Sequence, residues 1–255
     1  MKALLLDIGN SRLKWGVLGK DRINRTGHVS QSAIQEHGFA ALTSKLPRDV
    51  DTVLACNVAG AQQATRIARA IASHCGCGVK FVRSESQACG VTNSYRQPWR
   101  MGVDRWVAMI AARAACDTSS IVVDAGTAIT IDALDDDGKH LGGQIMPGIT
   151  LMSEALARHT SDIPQVRKRL SGHGLGIFAN STAAAVAHGI LGAAVAAVER
   201  ATRVMREDGY DPTVILTGGD AAYLFGSIDE QALHYPHLVL QGLQRILECR
   251  GESSS

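Results

Sequence analysis

The segment Leu4-Leu5-Leu6-Asp7-Ile8-Gly9-Asn10-Ser11-Arg12-Leu13-Lys14-Trp15-Gly16-Val17 joins an unbroken apolar run to a turn of small polar residues and then to an alternating run. The leucines suit a buried strand, Asp7 to Ser11 supplies turn formers, and Leu13, Trp15 and Val17 recur at strand spacing. This predicts a β-hairpin with an acidic turn. Ile121-Val122-Val123-Asp124-Ala125-Gly126-Thr127 repeats the arrangement, and Ile129, Ile131 and Ala133 alternate after it. A looser echo pairs Val53-Leu54-Ala55-Cys56-Asn57-Val58 with Val214-Ile215-Leu216-Thr217-Gly218-Gly219-Asp220, each an apolar strand that stops at small polar residues. The chain reads as a duplication.

Helical spacing links these strands: Ala64, Ile67, Ala68 and Ile71, then Val107, Ile110, Ala111 and Ala114, then Val186, Ile190 and Ala193. Hairpins followed by alternating strands and helices predict an α/β fold of two halves, residues 1–118 and 119–255, with a cleft where they face each other. No low-complexity segment or long linker interrupts them, and only Gly251 to Ser255 has the composition of a frayed end.

Composition narrows the function classes. The 255 residues carry 26 Lys+Arg against 24 Asp+Glu, a net charge of +2, so no overall field favours nucleic acid or an anionic membrane. One lysine and four apolar residues precede Asp7, too short a run for a signal peptide. The six cysteines are too scattered for a secreted disulfide framework, which points to a reducing cytoplasm. Thr182 to Val198 is mostly Ala and Gly around His188, which favours a packed internal or interface helix over a membrane span.

Several groups of residues suit chemistry. Asp7, Gly9, Asn10, Ser11 and Lys14 combine a carboxylate for a metal ion, a Gly-containing turn of backbone N–H groups and an ammonium, the parts a phosphate needs. The same residues also make an ordinary hairpin turn with Lys14 in solvent. The second copy, with Asp124, Gly126 and Thr127, favours phosphate, the two turns gripping opposite sides of one chain. Gly218-Gly219-Asp220 fits either an adenine or ribose contact or a bare strand-to-helix turn capped by Asp220. Asp104 stands where Pro98 and Gly102 let a helix begin; it either caps that helix or accepts a hydroxyl proton while Arg105 holds a carboxylate. Gly142 to Gly148 is a rigid connection, structural by preference over a lid or subunit contact. His74, Cys75 and Cys77, and His234 with His237, lack the second half of a zinc site.

Together D-I-G-N-S-R-L-K (Asp7 to Lys14), G-V-D-R (Gly102 to Arg105), D-A-G-T (Asp124 to Thr127), G-G-Q-I-M-P-G (Gly142 to Gly148) and T-G-G-D (Thr217 to Asp220) resemble the type III pantothenate kinases, also called Bvg accessory factor-like. The resemblance runs from Met1 to about Gly226, with the motifs in family order. It implies the actin, sugar kinase and Hsp70 superfold, with two ribonuclease H-like halves, ATP between them, and a homodimer. It implies ATP-dependent phosphorylation of the pantothenate hydroxyl, the first step of coenzyme A synthesis, with Mg²⁺ on the nucleotide and K⁺ or NH₄⁺ as a further cation. Carried over by residue, Asp7, Ile8, Gly9, Asn10, Ser11, Arg12, Leu13 and Lys14 look like the first ATP-phosphate motif and Thr127 like the second. Asp104 looks like the general base. Tyr95, Gly102, Val103, Arg105 and Thr182 look like pantothenate contacts beside Asp104, with Thr182 reaching across the dimer. Asp124 looks like the monovalent-cation ligand.

Charge-neutralising groups, two N–H-rich turns and one base suffice for phosphoryl transfer, which depends on positioning. The alternatives are a kinase of another small alcohol on the same fold, or a non-catalytic nucleotide-binding regulator.

Overall fold

The hairpin forms as the sequence predicts. In the computed structural model, which describes residues 1–166, 177–228 and 231–252, β1 (Ala3–Ile8) is buried along its whole length and pairs antiparallel with β2 (Arg12–Leu18). β3 (Ile23–Ser30) extends the sheet, and Gly27 sits opposite Trp15, where any side chain would run into the indole. The helices α1 (Gln31–His37) and α2 (Ala40–Thr43) follow, then β4 (Thr52–Asn57), α3 (Ala61–Cys75) and β5 (Val79–Phe81). The short strands β6 (Gln87–Ala88) and β7 (Val91–Thr92) lead to a 3-10 turn at Pro98–Arg100 and to α4 (Val103–Ala115). Then come β8 (Ser120–Ala125), β9 (Ala128–Leu134), β10 (His140–Pro147), α5 (Ile149–His159), α6 (Thr182–Glu207), β11 (Thr213–Thr217), α7 (Ala221–Phe225), β12 (Ala232–His234) and α8 (Leu238–Glu252).

Two five-stranded sheets result, ordered β3-β2-β1-β4-β5 and β10-β9-β8-β11-β12. In each, the central strand pairs antiparallel with its hairpin partner and parallel with the strand after the first crossover. The duplication read from two D-x-G turns is thus a duplication of topology. One core gathers Leu4, Leu6, Ile8, Leu13, Trp15, Val53, Ile67 and Ile71; the other gathers Ile121, Val123, Ile129, Ile131, Ile190, Val198, Val214 and Leu216.

The division between the units is not one cut at Ser119. The first comprises Met1–Cys89, Tyr95–Ala111 and Leu238–Ser255, the second Gly90–Ser94 and Ala112–His237. α8 belongs with the first because Leu238, Leu240 and Leu243 are buried and the helix packs against β1, β2 and β4. Gly242 lies so close to the Val107 carbonyl that a Cβ there has no room.

Three helical readings shift in detail. α4 is buried all round from Arg105 to Ala112, whereas Ala114 emerges exposed at its end. On α6 the buried residue is Ala194, and Ala193 faces out. α8 continues through Gly251 to Glu252, while residues 253–255 of the expected frayed end lie outside the described residues. α6 is apolar and long enough to span a membrane, yet Val186, Ile190, Leu191, Ala194 and Val198 are buried in the second core, as in a core helix.

Candidate active site

In the first unit, β1 runs into a turn in which Gly9 N–H donates to Arg12 O at 3.0 Å. Asn10, Ser11 and Arg12 are exposed at its tip, while Ile8 and Leu13 anchor it in the core. Asp7 and Lys14 stand opposite each other in the hairpin register. Their side chains therefore share one face of the sheet, with Lys14 Nζ 3.9 Å from Asp7 Oδ2.

Asp7 is 8% exposed. Burial pushes its carboxyl above the ordinary aspartate range; Lys14 opposes this, Asp104 adds to it, and the Cys56 thiol opposes it. Asp104, remote in sequence, is thus within electrostatic reach of Asp7. Cys56 lies beside Asp7 in the parallel β1–β4 register and donates its S–H to Asp7 Oδ1 at 3.4 Å. Burial above all, then the charges of Asp7 and Asp104, holds that thiol well above its usual range, so it stays protonated as a donor. No cysteine has a role in the sequence reading; this one becomes visible only with the strand register.

The Gly102 to Arg105 motif follows the 3-10 turn. Ser84 Oγ donates to Met101 O at 3.0 Å, fixing the approach to α4. Asp104 is inside the first helical turn rather than at the cap, and its Oδ1 accepts from Arg105 N–H at 2.8 Å. A carboxylate there is also favoured by the helix dipole. Gly102 makes room for it, since a Cβ would stand 2.8 Å from Asp104 Oδ1. Arg105 is 5% exposed and donates from Nη1 to Tyr95 Oη at 2.8 Å, with its guanidinium 5.7 Å from the Tyr95 ring centre. Val103 is half-buried beside them. The fold thus gathers Asp7, Lys14, Tyr95, Gly102, Asp104 and Arg105 within one unit.

The second unit holds the other turn. Gly126 N–H donates to Ala128 O at 2.9 Å, Asp124 is half-buried, and Thr127 is exposed. Two of the glycine motifs support it. Gly148 N–H donates to Thr127 O at 3.0 Å, and a Cβ on Gly148 would lie 2.5 Å from that oxygen. Gly218, at φ +101°, would place a Cβ 2.5 Å from Asp124 Oδ1, and Asp220 N–H donates to Ala125 O at 2.9 Å. The structural reading of Gly142 to Gly148 therefore holds at Gly148. Asp220 occupies the position before α7 but makes no capping hydrogen bond from its side chain. Thr182 is exposed on the first turn of α6, which Ser181 caps by accepting from Ala184 N–H at 3.4 Å.

Two further groups have other partners than sequence spacing suggests. His74 Nε2, Cys75 and Cys77 meet the carbonyls of Leu46, Pro47 and Val50, tying the end of α3 to the loop before β4. In the second unit, fully buried His140 places Nε2 3.0 Å from Asp132 Oδ1 and Nδ1 3.0 Å from Ser94 Oγ, next to Tyr95 in sequence. The His140 network leaves no periodic signature in the sequence.

A family model for type III pantothenate kinase matches residues 3–204. Among curated relatives, the type III pantothenate kinase of Nitrosococcus oceani is 34% identical over 252 residues, 95% of this chain and 92% of the relative. That of Halorhodospira halophila is 37% identical over 246 residues, 94% and 95% of the two chains. Among solved structures, a Campylobacter jejuni protein described as a Baf family transcriptional activator aligns with a TM-score of 0.61 at 21% identity, over 98% of this chain and 99% of its own. A Sinorhizobium meliloti protein described as a 2-dehydro-3-deoxygalactonokinase aligns at 0.57 and 18% identity, over 96% and 98%. These likenesses show the actin, sugar kinase and Hsp70 fold. On the family match and the near full-length relatives, the chain belongs to the type III pantothenate kinase family.

Proposed function

We propose that this chain transfers the γ-phosphoryl group of ATP to the hydroxyl of pantothenate, the entry to coenzyme A synthesis in the cytoplasm. Family membership supports the reaction. The observation that carries the site assignment is the gathering of Asp7, Lys14 and Asp104 within electrostatic reach, beside the buried Arg105 and its half-buried partner Tyr95.

Each residue has a role its geometry suits. The Asp7 to Lys14 turn and Thr127 hold the ATP phosphates through backbone N–H groups and the Lys14 ammonium. Arg105 holds the pantothenate carboxylate, with Tyr95, Gly102 and Val103 shaping the site. Asp104 accepts the hydroxyl proton as the oxygen attacks the γ-phosphorus; the bond to the β-phosphate oxygen breaks, ADP leaves, and the proton passes to solvent. Mg²⁺ fits this donor set: a buried carboxylate whose ionisation is opposed by burial and by a second carboxylate is relieved by a cation. Asp7 would bear Mg²⁺ or its water shell, and the ion would neutralise phosphate charge.

The family resemblance implies a monovalent cation at Asp124, the counterpart of Asp7 in the second hairpin, where Thr130 stands at the position Lys14 holds in the first. K⁺ or NH₄⁺ there would add positive charge beside the second turn. The chain also pairs with a second copy through the outer face of α6, bringing Thr182 to the partner's pantothenate. Ala185, Gly189, Gly192, Ala193 and Ala196 are exposed there, and a Cβ on either glycine meets nothing within 4 Å, so another helix can approach closely.

The Asp104→Asn variant tests the assignment. It retains the Arg105 N–H acceptor, so the fold and ATP binding persist, while kcat falls by about 10²- to 10⁴-fold. Full turnover in that variant would remove Asp104 from the role of base, and another small alcohol outcompeting pantothenate would reassign the substrate.

A further inference from the structure

We infer that Gln31 is a positioning residue for ATP: it orients the peptide planes of the Asp7 to Lys14 turn so that their N–H groups face the phosphates, and Gln63 holds it there. This rests on the reading of that turn as the phosphate motif.

Gln31, the first residue of α1, is 9% exposed. Its side-chain Nε2 donates to Gly9 O at 2.8 Å, and its main-chain N–H donates to Ser11 O at 2.9 Å. One residue therefore engages two carbonyls of the turn. In a planar trans peptide the C=O and the following N–H point in opposite directions. With the carbonyls of Gly9 and Ser11 drawn toward Gln31, the N–H groups of Asn10 and Arg12 must point away from it. Two N–H groups aimed from one turn form the kind of concavity that binds an anion, and both residues are exposed at the tip.

The side chain of Gln31 is itself fixed. Its Oε1 accepts from Gln63 Nε2 at 2.8 Å, and Gln63 stands in the first turn of α3. Ser30 caps α1 by accepting from Ala33 N–H at 3.1 Å, which sets the direction from which Gln31 enters. The order of action is Gln63 on Gln31, Gln31 on Gly9 and Ser11, and the turn on the phosphates. Neither glutamine need touch ATP.

The test uses Gln31→Met, Gln63→Met, the double variant and Lys14→Ala, with steady-state kinetics in both substrates and thermal melting. Gln31→Met keeps the main-chain bond and the side-chain length but removes the donor. Loss of one such hydrogen bond corresponds to about a 3- to 10-fold rise in KM for ATP, with KM for pantothenate unchanged, a split that a general loss of stability would not produce. Gln63→Met raises KM for ATP less, and adds nothing in the Gln31→Met background, because it acts only through Gln31. Gln31→Glu keeps the length and the acceptor for Gln63 but not the donor, and does not rescue. An unchanged KM for ATP in folded Gln31→Met, while Lys14→Ala raises it, overturns the positioning role and leaves the phosphate turn standing. An unchanged KM for ATP in Lys14→Ala overturns the reading of the turn itself.

Discussion

Replacing Gly148 by alanine probes the proposed second phosphate turn without touching a polar group. Gly148 has φ −68° and ψ 165°, which alanine adopts without strain, so the effect is purely one of space. A Cβ there would lie 2.5 Å from Thr127 O and closer still to Gly126 O, where contacts under 3.0 Å are not tolerated. The Thr127 carbonyl must therefore retreat by about 0.5 Å at least, and the peptide carrying it moves too, because close-packed interiors transmit such shifts. Overpacking of this kind costs about 1–3 kcal/mol, partly offset by about 0.4–1 kcal/mol from the stiffer unfolded chain. For a chain of this size each kcal/mol lowers Tm by about 2–4 °C. Since a misplacement near 1 Å can cost about 10²-fold in rate, we expect about a tenfold loss in kcat/KM for ATP. Gly78→Ala is the control, because a Cβ there meets nothing within 4 Å. Differential scanning fluorimetry and coupled ADP detection on both variants give the result. Wild-type kcat/KM for ATP in Gly148→Ala, with the protein folded, would refute the placement of Thr127 on the phosphates.

Three other outcomes follow from the geometry. The Asp7 carboxyl is raised from its ordinary 3.8, so the folded protein binds that proton more tightly than the unfolded chain, and stability falls as pH rises from 3.8 through the higher folded value. Asp7→Asn removes this slope: without nucleotide its Tm exceeds wild type at pH 8 and converges with it at low pH, while Mg-ATP no longer raises it; equal melting at pH 8 would contradict the account. Replacing buried His140 by phenylalanine deprives Asp132 of a partner at 3.0 Å and should cost about 1.5–3 kcal/mol in chemical denaturation; an unchanged midpoint would show that the pair contributes nothing. Arg105→Ala raises KM for pantothenate by about 10-fold or more, as loss of a charge-assisted bidentate pair should, leaving KM for ATP near wild type; the reverse split would place Arg105 on the nucleotide.

The parts of the molecule legible from sequence are those written in local pattern. Leu4 to Val17 and Ile121 to Ala133 each run from an apolar strand through a turn to an alternating strand, all adjoining in the chain, so the hairpins and the duplication could be read directly. The site that depends on pairing between distant segments could not. Cys56 reaches Asp7 because β4 lies parallel to β1 in one register, and a strand's period says nothing of its partner's register. Gln31 has no part in the sequence reading, and His140 lies at a register shift in the β9–β10 pairing, outside any periodic pattern. The helix errors have a similar cause. Period alone puts Ala193 and Ala114 inward, whereas packing in the second core selects Ala194 on α6, and α4 is buried from Arg105 to Ala112 with Ala114 exposed at its end. The expected boundary at Ser119 missed that α8 returns to the first sheet, because a C-terminal amphipathic helix carries no sign of which sheet it will cover.

The most direct test of the central claim is ADP release by the purified protein with Mg-ATP, with and without pantothenate, in K⁺ and in Na⁺ buffer. The account predicts turnover that requires pantothenate and K⁺ together. Pantothenate-independent turnover, or none with pantothenate in either K⁺ or NH₄⁺ from folded protein, would contradict it.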